Sequence, residues 1–220
     1  MINKPKGMTS HDVIYHVRKI TGEKKVGHGG TLDPNATGLL IVGVSRNATK
    51  MLGEITKNTS KEYIAEITLG EERTTDDSEG KVTNSSNKKI DFDKIKSVLN
   101  KFKGKQKQIP PIFSAIKKDG KKAYEMARKG KDVKLEPREI EVFEVELLSY
   151  NYPIMEARFK VSSGTYIRSL ARDIGRALGT YAYLSNLQRT AIGKFTINQS
   201  VKLEGLDTSN WKEYIIESIT

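Results

Sequence analysis

One aspartate, Asp33, lies in a stretch that suits the presentation of a single reactive carboxylate. Four glycines between positions 25 and 38 make the backbone easy to bend. Pro34 follows and restricts Asp33 to extended backbone, and the apolar run 39–42 predicts a buried strand close behind. Such a carboxylate can serve as a nucleophile or a general base. On spacing alone, an ordinary turn containing glycine and Asp-Pro is the simpler interpretation.

Other kinds of chemistry lack a sequence signal. The chain has no cysteine, which excludes disulfides, zinc–thiolate sites and thiol nucleophiles. The three histidines (His11, His16 and His28) are too few and too irregularly spaced to indicate a metal site. Asp33 has no second carboxylate at a local spacing typical of glycosidases, and no serine-hydrolase, phosphate-loop or dinucleotide motif occurs. We therefore expect no metal and no cofactor.

The charge distribution points to a polyanionic partner. Lys and Arg number 38 against 27 Asp and Glu, a net charge of +11. Residues 101–138 hold 13 basic and 4 acidic residues, a local charge of +9. This concentration favours nucleic acid over a membrane surface, because no segment reads as a basic amphipathic helix. A lysine-rich surface also serves solubility, so charge alone does not decide.

The first third of the chain predicts elements that would hold the Asp33 loop. Ser10 is a good N-cap for a helix that ends at Gly22, and residues 45–55 predict a second short helix. Residues 62–69 alternate in polarity, with Tyr63 on the apolar face of a half-buried strand.

The remainder predicts an α+β fold, in one domain (residues 1–220), with a central mixed, largely antiparallel sheet flanked by helices and loops. The expected elements are a polar loop or hairpin tip over 71–89, a helix with Phe92 on its apolar stripe, a hairpin turning at Asp119-Gly120, a helix over 121–129, two strands with a bulge near Val142, a helix ending at Gly179, a strand over 183–192 and a short helix over 207–219.

Arg168 lies in the first turn of the helix that ends at Gly179. A cation there faces the unfavourable end of the helix dipole, so a specific anionic partner is the more economical explanation for it.

Several long motifs, in one order along nearly the whole chain, resemble the TruB family of tRNA pseudouridine synthases. They are NKPKGMTS (3–10), KVGHGGTLDPNATG (25–38), KEY with LG (61–63 and 69–70), GTYIRSLARDIGRALG (164–179) and residues 184–195. The resemblance implies the pseudouridine synthase fold and the isomerisation of uridine to pseudouridine at position 55, in the T loop of tRNA. The base is flipped out, its N1–C1′ bond is broken and a C5–C1′ bond is formed. This reaction needs no cofactor.

The resemblance also implies roles for single residues. Asp33 matches the catalytic aspartate, Arg168 the arginine that pairs with it, and Tyr63 the tyrosine that stacks on the target base. It leaves open whether Asp33 attacks the ring or the sugar or removes a sugar proton. The residues implied to bind or surround the substrate are His28 in place of the flipped base, Tyr166 and Leu187 at the base pocket, Lys4 and Pro5 packed nearby, and Asp77 at the displaced bases.

The same resemblance implies how the enzyme works as a whole. Residues 101–138 correspond to an insertion that closes over the RNA and is poorly ordered without it. We expect no further C-terminal PUA-type domain, a stand-alone monomer acting on the tRNA T arm without a protein partner, and, since no signal peptide or membrane span is evident, a cytoplasmic enzyme. Two alternatives stay open: an RNA-binding protein that keeps the fold without catalysis, and the same chemistry on another RNA.

Overall fold

The structure, a computed structural model, describes residues 1–114, 116–118, 120–130 and 133–216. The chain divides into two compact units: unit 1 comprises Met1–Ile64 and Leu187–Thr220, and unit 2 comprises Ala65–Asn186. The fold is α+β with a mixed, largely antiparallel sheet, as the sequence predicts. Within the described ranges, no helix combines the length and apolar character needed to cross a bilayer.

The strands are β1 (Ile2–Lys4), β2 (Val26–Gly29), β3 (Ala36–Val44), β4 (Lys61–Leu69), β5 (Glu71–Arg73), β6 (Val82–Ser85), β7 (Gly104–Gln108), β8 (Lys117–Lys118), β9 (Lys121–Lys122), β10 (Arg138–Asn151), β11 (Ile154–Val161), β12 (Ala182–Ile192), β13 (Phe195–Thr196) and β14 (Val201–Lys202). The α-helices are α1 (Ser10–Thr21), α2 (Arg46–Thr56), α3 (Phe92–Lys101), α4 (Ala123–Arg128) and α5 (Ile167–Leu178). Short 3-10 turns cover Ile197–Gln199, Leu203–Gly205 and Trp211–Tyr214.

Unit 1 is built on the strand order β14–β1–β3–β12, with β2 on β3 and β13 on β12. β1 runs antiparallel to β3, whereas β12 runs parallel to β3 and places Leu187 opposite Ala36. The apolar run after the Asp33 loop is central here, since Leu39 and Leu40 are fully buried on opposite faces of β3. The loop that carries Asp33 therefore runs from the buried end of β2, at Gly29, to the buried start of β3, at Ala36.

The first helix corrects one prediction. The N-cap of α1 is Thr9 rather than Ser10: Thr9 Oγ1 accepts from the Asp12 N–H at 3.0 Å, and the Asp12 carboxylate accepts from the Thr9 N–H in return. This reciprocal cap makes Ser10 the first helical residue, with its hydroxyl available for another contact. The helix ends at Gly22, as predicted, with φ of 71°.

Unit 2 carries the strand order β4–β11–β10–β7. The polar stretch predicted as a loop or hairpin tip contains the antiparallel pair β5–β6. The predicted bulge is present, because the register between β10 and β11 shifts between Val142 and Glu144. Helix α3 packs on β10 and on α5, and its residues Ile95 and Leu99 are buried. Phe92, by contrast, is 51% exposed and is not part of the buried core.

The predicted hairpin and helix of the basic segment are found as β8, β9 and α4. Asp119, on which part of the turn prediction rests, lies outside the described residues, as do positions 115, 131 and 132. The predicted short helix over 207–219 is reduced, in its described part, to turn residues at 208–210 and the 3-10 turn Trp211–Tyr214, which ends at the extended Ile215. Positions 217–219 lie outside the described residues.

Candidate active site

Asp33 is an exposed residue between two well-held neighbours. Leu32, before it, is only 4% exposed. The Asp33 carbonyl accepts from the Ala36 N–H at 3.1 Å, where β3 begins. The turn is therefore closed within four residues. A carboxylate presented in this way reaches solvent while its backbone is fixed.

Lys4 holds the residue after Asp33. Its side chain is fully buried, and its Nζ donates to the carbonyls of Pro34 (3.1 Å), Met8 (2.6 Å) and Pro5 (3.0 Å). Burial lowers the pKa of Lys4 to about 8, against the opposing attraction of the Asp33 carboxylate. Lys4 thus uses its three donors to join the Asp33 loop, at Pro34, to the N-terminal segment, at Pro5 and Met8.

Ser10 holds the residue before Asp33. Its hydroxyl donates to the Leu32 carbonyl at 3.1 Å and accepts from the Leu32 N–H at 2.9 Å. The Gly7 N–H adds a bond to the Pro34 carbonyl at 2.9 Å. The N-terminal segment therefore fixes both flanks of Asp33, which explains in physical terms why residues 3–10 and 25–38 occur together.

Arg189, on β12, is a further buried cation that the sequence analysis missed. It is 1% exposed, and its guanidinium donates from Nε to the Leu39 carbonyl (2.8 Å) and from Nη2 to the Gly30 carbonyl (3.0 Å). Gly38 has φ of 101°, and a Cβ there would lie 2.3 Å from the Arg189 carbonyl oxygen. Both ends of the Asp33 loop therefore pack on this arginine. No local pattern marks it, because its partners are backbone groups distant in sequence.

Of the other predicted residues of unit 1, Tyr63, Leu187 and His28 lie on strands, and Pro5 directly follows β1. Tyr63 is 8% exposed on the buried face of β4, and Leu187 is half-buried on β12. His28 lies on β2 opposite Val42, and its pKa is lowered, first by burial and then by the positive charge of Arg189. Pro5 is half-buried and supplies one of the carbonyls that bind Lys4.

In unit 2, Arg168 has the anionic partner that its position in α5 demands. Its Nη1 donates to the Asp77 carboxylate and to the Thr75 carbonyl, both at 3.2 Å, and Nη2 donates to the Phe113 carbonyl at 2.9 Å. The side chains of Arg168 and Asp77 are 8% and 19% exposed. The ion pair joins two predicted site residues that are 91 positions apart in the sequence.

Tyr166 is fixed through its backbone. The side-chain amide of Gln108 accepts from the Tyr166 N–H (2.9 Å) and donates to the Tyr166 carbonyl (3.0 Å). Gln108 is 2% exposed and ends β7, at the start of the basic segment. The first turn of α5, which otherwise has no side-chain cap, is thereby tied to that segment.

The arginines of α5 recur every four residues and form ion pairs. Arg168, Arg172 and Arg176 contact Asp77, Asp76 and Glu72 respectively. Burial raises the pKa of Asp76 to about 6 in spite of the nearby Arg172 and Arg168. The four-residue spacing of these arginines is a signal in the sequence that places them on one face of the helix.

The structure thus brings together Lys4, Pro5 and the Asp33 loop in unit 1, and Asp77 with Arg168 in unit 2. The pairing of Arg168 with Asp33 stays a prediction.

Comparison with known families agrees with the arrangement of motifs. The model of the TruB family pseudouridylate synthase N-terminal domain matches residues 18–167, and that of the tRNA pseudouridylate synthase B C-terminal domain matches residues 168–219. The chain belongs to the TruB family of pseudouridylate synthases. Membership makes it an isomerase, and it confirms the resemblance drawn from the motifs.

Curated relatives support this family over most of the chain. The protein named tRNA pseudouridine synthase B of Protochlamydia amoebophila is 48% identical over 197 residues, which is 90% of this chain and 74% of the relative. That of Ureaplasma urealyticum is 44% identical over 93% of this chain and 90% of the relative, and that of Aquifex aeolicus 43% identical over 98% and 76%.

Solved structures support the fold. A chain of "Crystal Structure of a Cbf5-Nop10-Gar1 Complex" superposes with a TM-score of 0.75 at 33% identity, and one of "Structure of H/ACA RNP bound to a substrate RNA containing 2'-deoxyuridine" with 0.72 at 30%. Both cover 98% of this chain, which spans 56% and 55% of those chains. The pseudouridine synthase fold expected from the motifs is confirmed.

Proposed function

We propose that this TruB-family enzyme converts uridine 55, in the T loop of tRNA, to pseudouridine. The family supports uridine-to-pseudouridine isomerisation in tRNA, because relatives named tRNA pseudouridine synthase B match 90% or more of this chain. The basic segment 101–138 is suited to a phosphate backbone. The position within the tRNA and the roles below are our proposals.

The observation that carries the proposal is the way Asp33 is held. Its side chain is exposed, while the residues on either side are bound by Ser10, Lys4 and Gly7. An aspartate that only forms a turn does not need a fully buried lysine, such as Lys4, to bind the carbonyl of the residue after it. A carboxylate that must react at one place needs such a support, because small displacements of a reacting group cost rate.

The uracil must leave its stack in the RNA to reach a carboxylate on the protein. We propose that Tyr63 stacks on the flipped base, with Leu187 and Tyr166 bordering the pocket. Stacking on an aromatic ring contributes about 1–3 kcal/mol per base. We further propose that Arg168 pairs with the carboxylate of Asp33, since a guanidinium attracts a negatively charged group and can donate hydrogen bonds to it.

The chemistry is an isomerisation with no redox step. The N1–C1′ bond breaks, the uracil turns, C5 bonds to C1′, and the C5 hydrogen leaves as a proton while N1 gains one. Asp33 can act by attack on C6 of the ring, by attack on C1′, or by removal of a sugar proton. Each route uses the side chain of Asp33, which this loop presents.

The remaining residues are proposed to act on the RNA rather than on the reacting bonds. His28 takes the space that the flipped base leaves, and Asp77 lies near the displaced bases. Residues 101–138 contact phosphates, and Lys4 with Pro5 shapes the floor of the site. We expect the enzyme to act as a monomer in the cytoplasm without a protein partner.

The test is release of tritium from a tRNA transcript that carries 5-tritiated uridine. We expect release by the wild type, and a loss of about 10³-fold or more for Asp33→Asn, because an essential reacting group is removed. Asp93→Asn, at an exposed carboxylate of α3, is the matched control and should release tritium at the wild-type rate. A transcript with cytidine at position 55 should release none from that site.

Three results would contradict the proposal in different ways. Binding of tRNA without release by the wild type indicates an RNA-binding protein that keeps the fold. Undiminished release by Asp33→Asn removes Asp33 from the reaction. Release that is unchanged by cytidine at position 55 assigns the chemistry to another uridine or another RNA.

A further inference from the structure

The ion pair between Arg172 and Asp76 is the middle member of the row along α5. Arg172 Nη1 lies 2.9 Å from the Asp76 carboxylate, and its Nε lies 2.9 Å from Asp173. The third nitrogen, Nη2, donates to the Ile109 carbonyl at 3.1 Å. The side chains of Arg172 and Asp76 are 11% and 10% exposed, so this guanidinium is nearly enclosed and used on every nitrogen.

Asp76 has an unusual backbone. Its φ is 60°, in the left-handed region that non-glycine residues rarely adopt. Its N–H donates to the Arg73 carbonyl at 3.0 Å, and its own carbonyl accepts from the Leu184 N–H at 3.0 Å. This conformation sets the direction in which the chain enters Asp77, the partner of Arg168. The bond from Arg172 holds the side chain of the strained residue in place.

Arg172 also binds the segment 109–113, which supplies a second acceptor for Arg168. The Ile109 carbonyl accepts from Arg172 and from the Ser169 hydroxyl (2.9 Å), whereas the Phe113 carbonyl, four residues on, accepts from Arg168. The guanidinium of Arg168 is thus held between two segments, one ending at Asp77 and one at Phe113. Arg172 binds both segments one helical turn away.

We propose that Arg172, acting through Asp76 and the Ile109 carbonyl, is a positioning residue for the guanidinium of Arg168. This rests on the proposed function, in which Arg168 supports the reacting carboxylate. Arg172 itself touches neither the RNA nor the reacting atoms in this proposal; it sets where Arg168 lies.

Stability alone does not account well for the pair. Burial raises the pKa of Asp76, which means that keeping this carboxylate charged inside the protein is unfavourable. A buried ion pair of this kind is weak evidence for stability, because desolvation of both charges can exceed their attraction. Because a gain in stability does not explain the Arg172–Asp76 pair well, we infer that the pair serves to fix the position of Asp77.

The test compares Arg172→Lys with Arg176→Lys. Lysine keeps the charge but lacks the planar set of donors, so it cannot reproduce the three directed contacts of Arg172. Arg176 pairs with Glu72 one turn further from Arg168, which makes it the matched control on the same helix. Single-turnover tritium release gives the rate, filter binding gives the Kd for the tRNA transcript, and thermal melting gives Tm.

We expect Arg172→Lys to slow tritium release about 10-fold or more, as small displacements in a site do. The Kd for tRNA should stay within about threefold of wild type, and Arg176→Lys should match wild type within about twofold in both measurements. Asp76→Asn, which keeps size and one acceptor, should slow release in the same way. A purely structural role would instead lower Tm without this separation of rate from affinity.

The possible results distinguish failure of the positioning role from failure of the proposed function. Equal rates for Arg172→Lys, Asp76→Asn and the active wild type overturn the positioning role and leave the proposed function intact. The same holds if Arg176→Lys slows release as much as Arg172→Lys, or if the loss in rate follows the loss in Kd. A wild type that binds tRNA and releases no tritium overturns the proposed function, and the positioning role with it.

Discussion

Two aspartate-bearing segments, one in each unit, are held in opposite ways. Around Asp33 in unit 1, the hydrogen bonds described above fall on the backbone of the neighbouring residues, and the side chain is exposed. Around Asp76 and Asp77 in unit 2, arginines bind the carboxylates themselves. In our proposals, the first segment presents an acid to the substrate, and the acids of the second segment position guanidinium groups. The residue type is the same, and the contacts decide its use.

The difference extends to the cations. Lys4 and Arg189 are almost wholly buried and donate to carbonyl oxygens, so they fix the course of the chain around Asp33. Arg168 and Arg172 also bind carbonyls, but each adds an ion pair to an acid of the same unit. Variants that remove either a hydrogen bond to the backbone around Asp33 or an ion pair to Asp76 therefore test this comparison directly.

The largest effect is expected from Lys4→Met. It leaves three partly buried carbonyls, those of Pro34, Met8 and Pro5, without this donor, and we expect the free energy of unfolding to fall by about 2–4 kcal/mol. Chemical denaturation measures this loss, and Lys6→Met, at an exposed lysine, is the control. Wild-type stability together with wild-type tritium release would show that the Asp33 loop does not depend on Lys4.

A smaller effect is expected from Ser10→Ala. The change removes one donor and one acceptor for Leu32, and buried groups left unbonded cost about 1–2 kcal/mol here. Because the bond fixes the residue before Asp33, tritium release should slow several-fold more than the tRNA Kd weakens. Ser97→Ala, at an exposed position of α3, should change neither quantity. A loss of stability with full catalytic rate would separate the support of Leu32 from the reaction.

The smallest effect is a pH dependence that distinguishes the two segments. The pKa of Asp76, about 6, is above its ordinary value of 3.8, so the folded state holds the proton more tightly than the unfolded state. The contribution of this residue to stability is therefore present at low pH and is lost as pH rises through 6. Between pH 7.5 and 5, wild type should gain about 1 kcal/mol relative to Asp76→Asn.

The rate should move in the opposite direction over the same range. Protonation of Asp76 weakens its bond to Arg172, in surroundings that also hold Arg168, Asp173 and Glu72, so tritium release should fall on the acid side near pH 6. The Asp76→Asn variant should lack this step in both measurements. Denaturation and single-turnover rates at each pH provide the check; parallel curves for the two proteins would contradict it.

Much of this could be predicted from the sequence, for local reasons. Pro34 and the glycines around Asp33 restrict the loop before any tertiary contact forms. The alternation in β4 put Tyr63 on the buried face, and the change of phase near Val142 marked a bulge that the pairing of β10 with β11 contains. The motifs gave the family, and the family model bears them out.

Where prediction failed, a local signal competed with another or was absent. Thr9 and Ser10 are both good caps, and the reciprocal bonds of Thr9 with Asp12 decide for Thr9, while the Ser10 hydroxyl binds Leu32 instead. Phe92 fits the apolar stripe of α3 but projects into solvent at the helix start. In the described part of 207–219, only a 3-10 turn forms, and none of its residues Trp211–Tyr214 is buried.

By itself the sequence determined the family, the α+β class, the stiff turn at Asp33 and the charge of residues 101–138, because each is a property of neighbouring residues or of composition. The tertiary structure decided which groups hold Asp33, that Arg189 binds both Gly30 and Leu39, and that Arg168 meets Asp77 across 91 positions. Those contacts depend on strand order and on backbone carbonyls, which every residue carries and no sequence pattern marks.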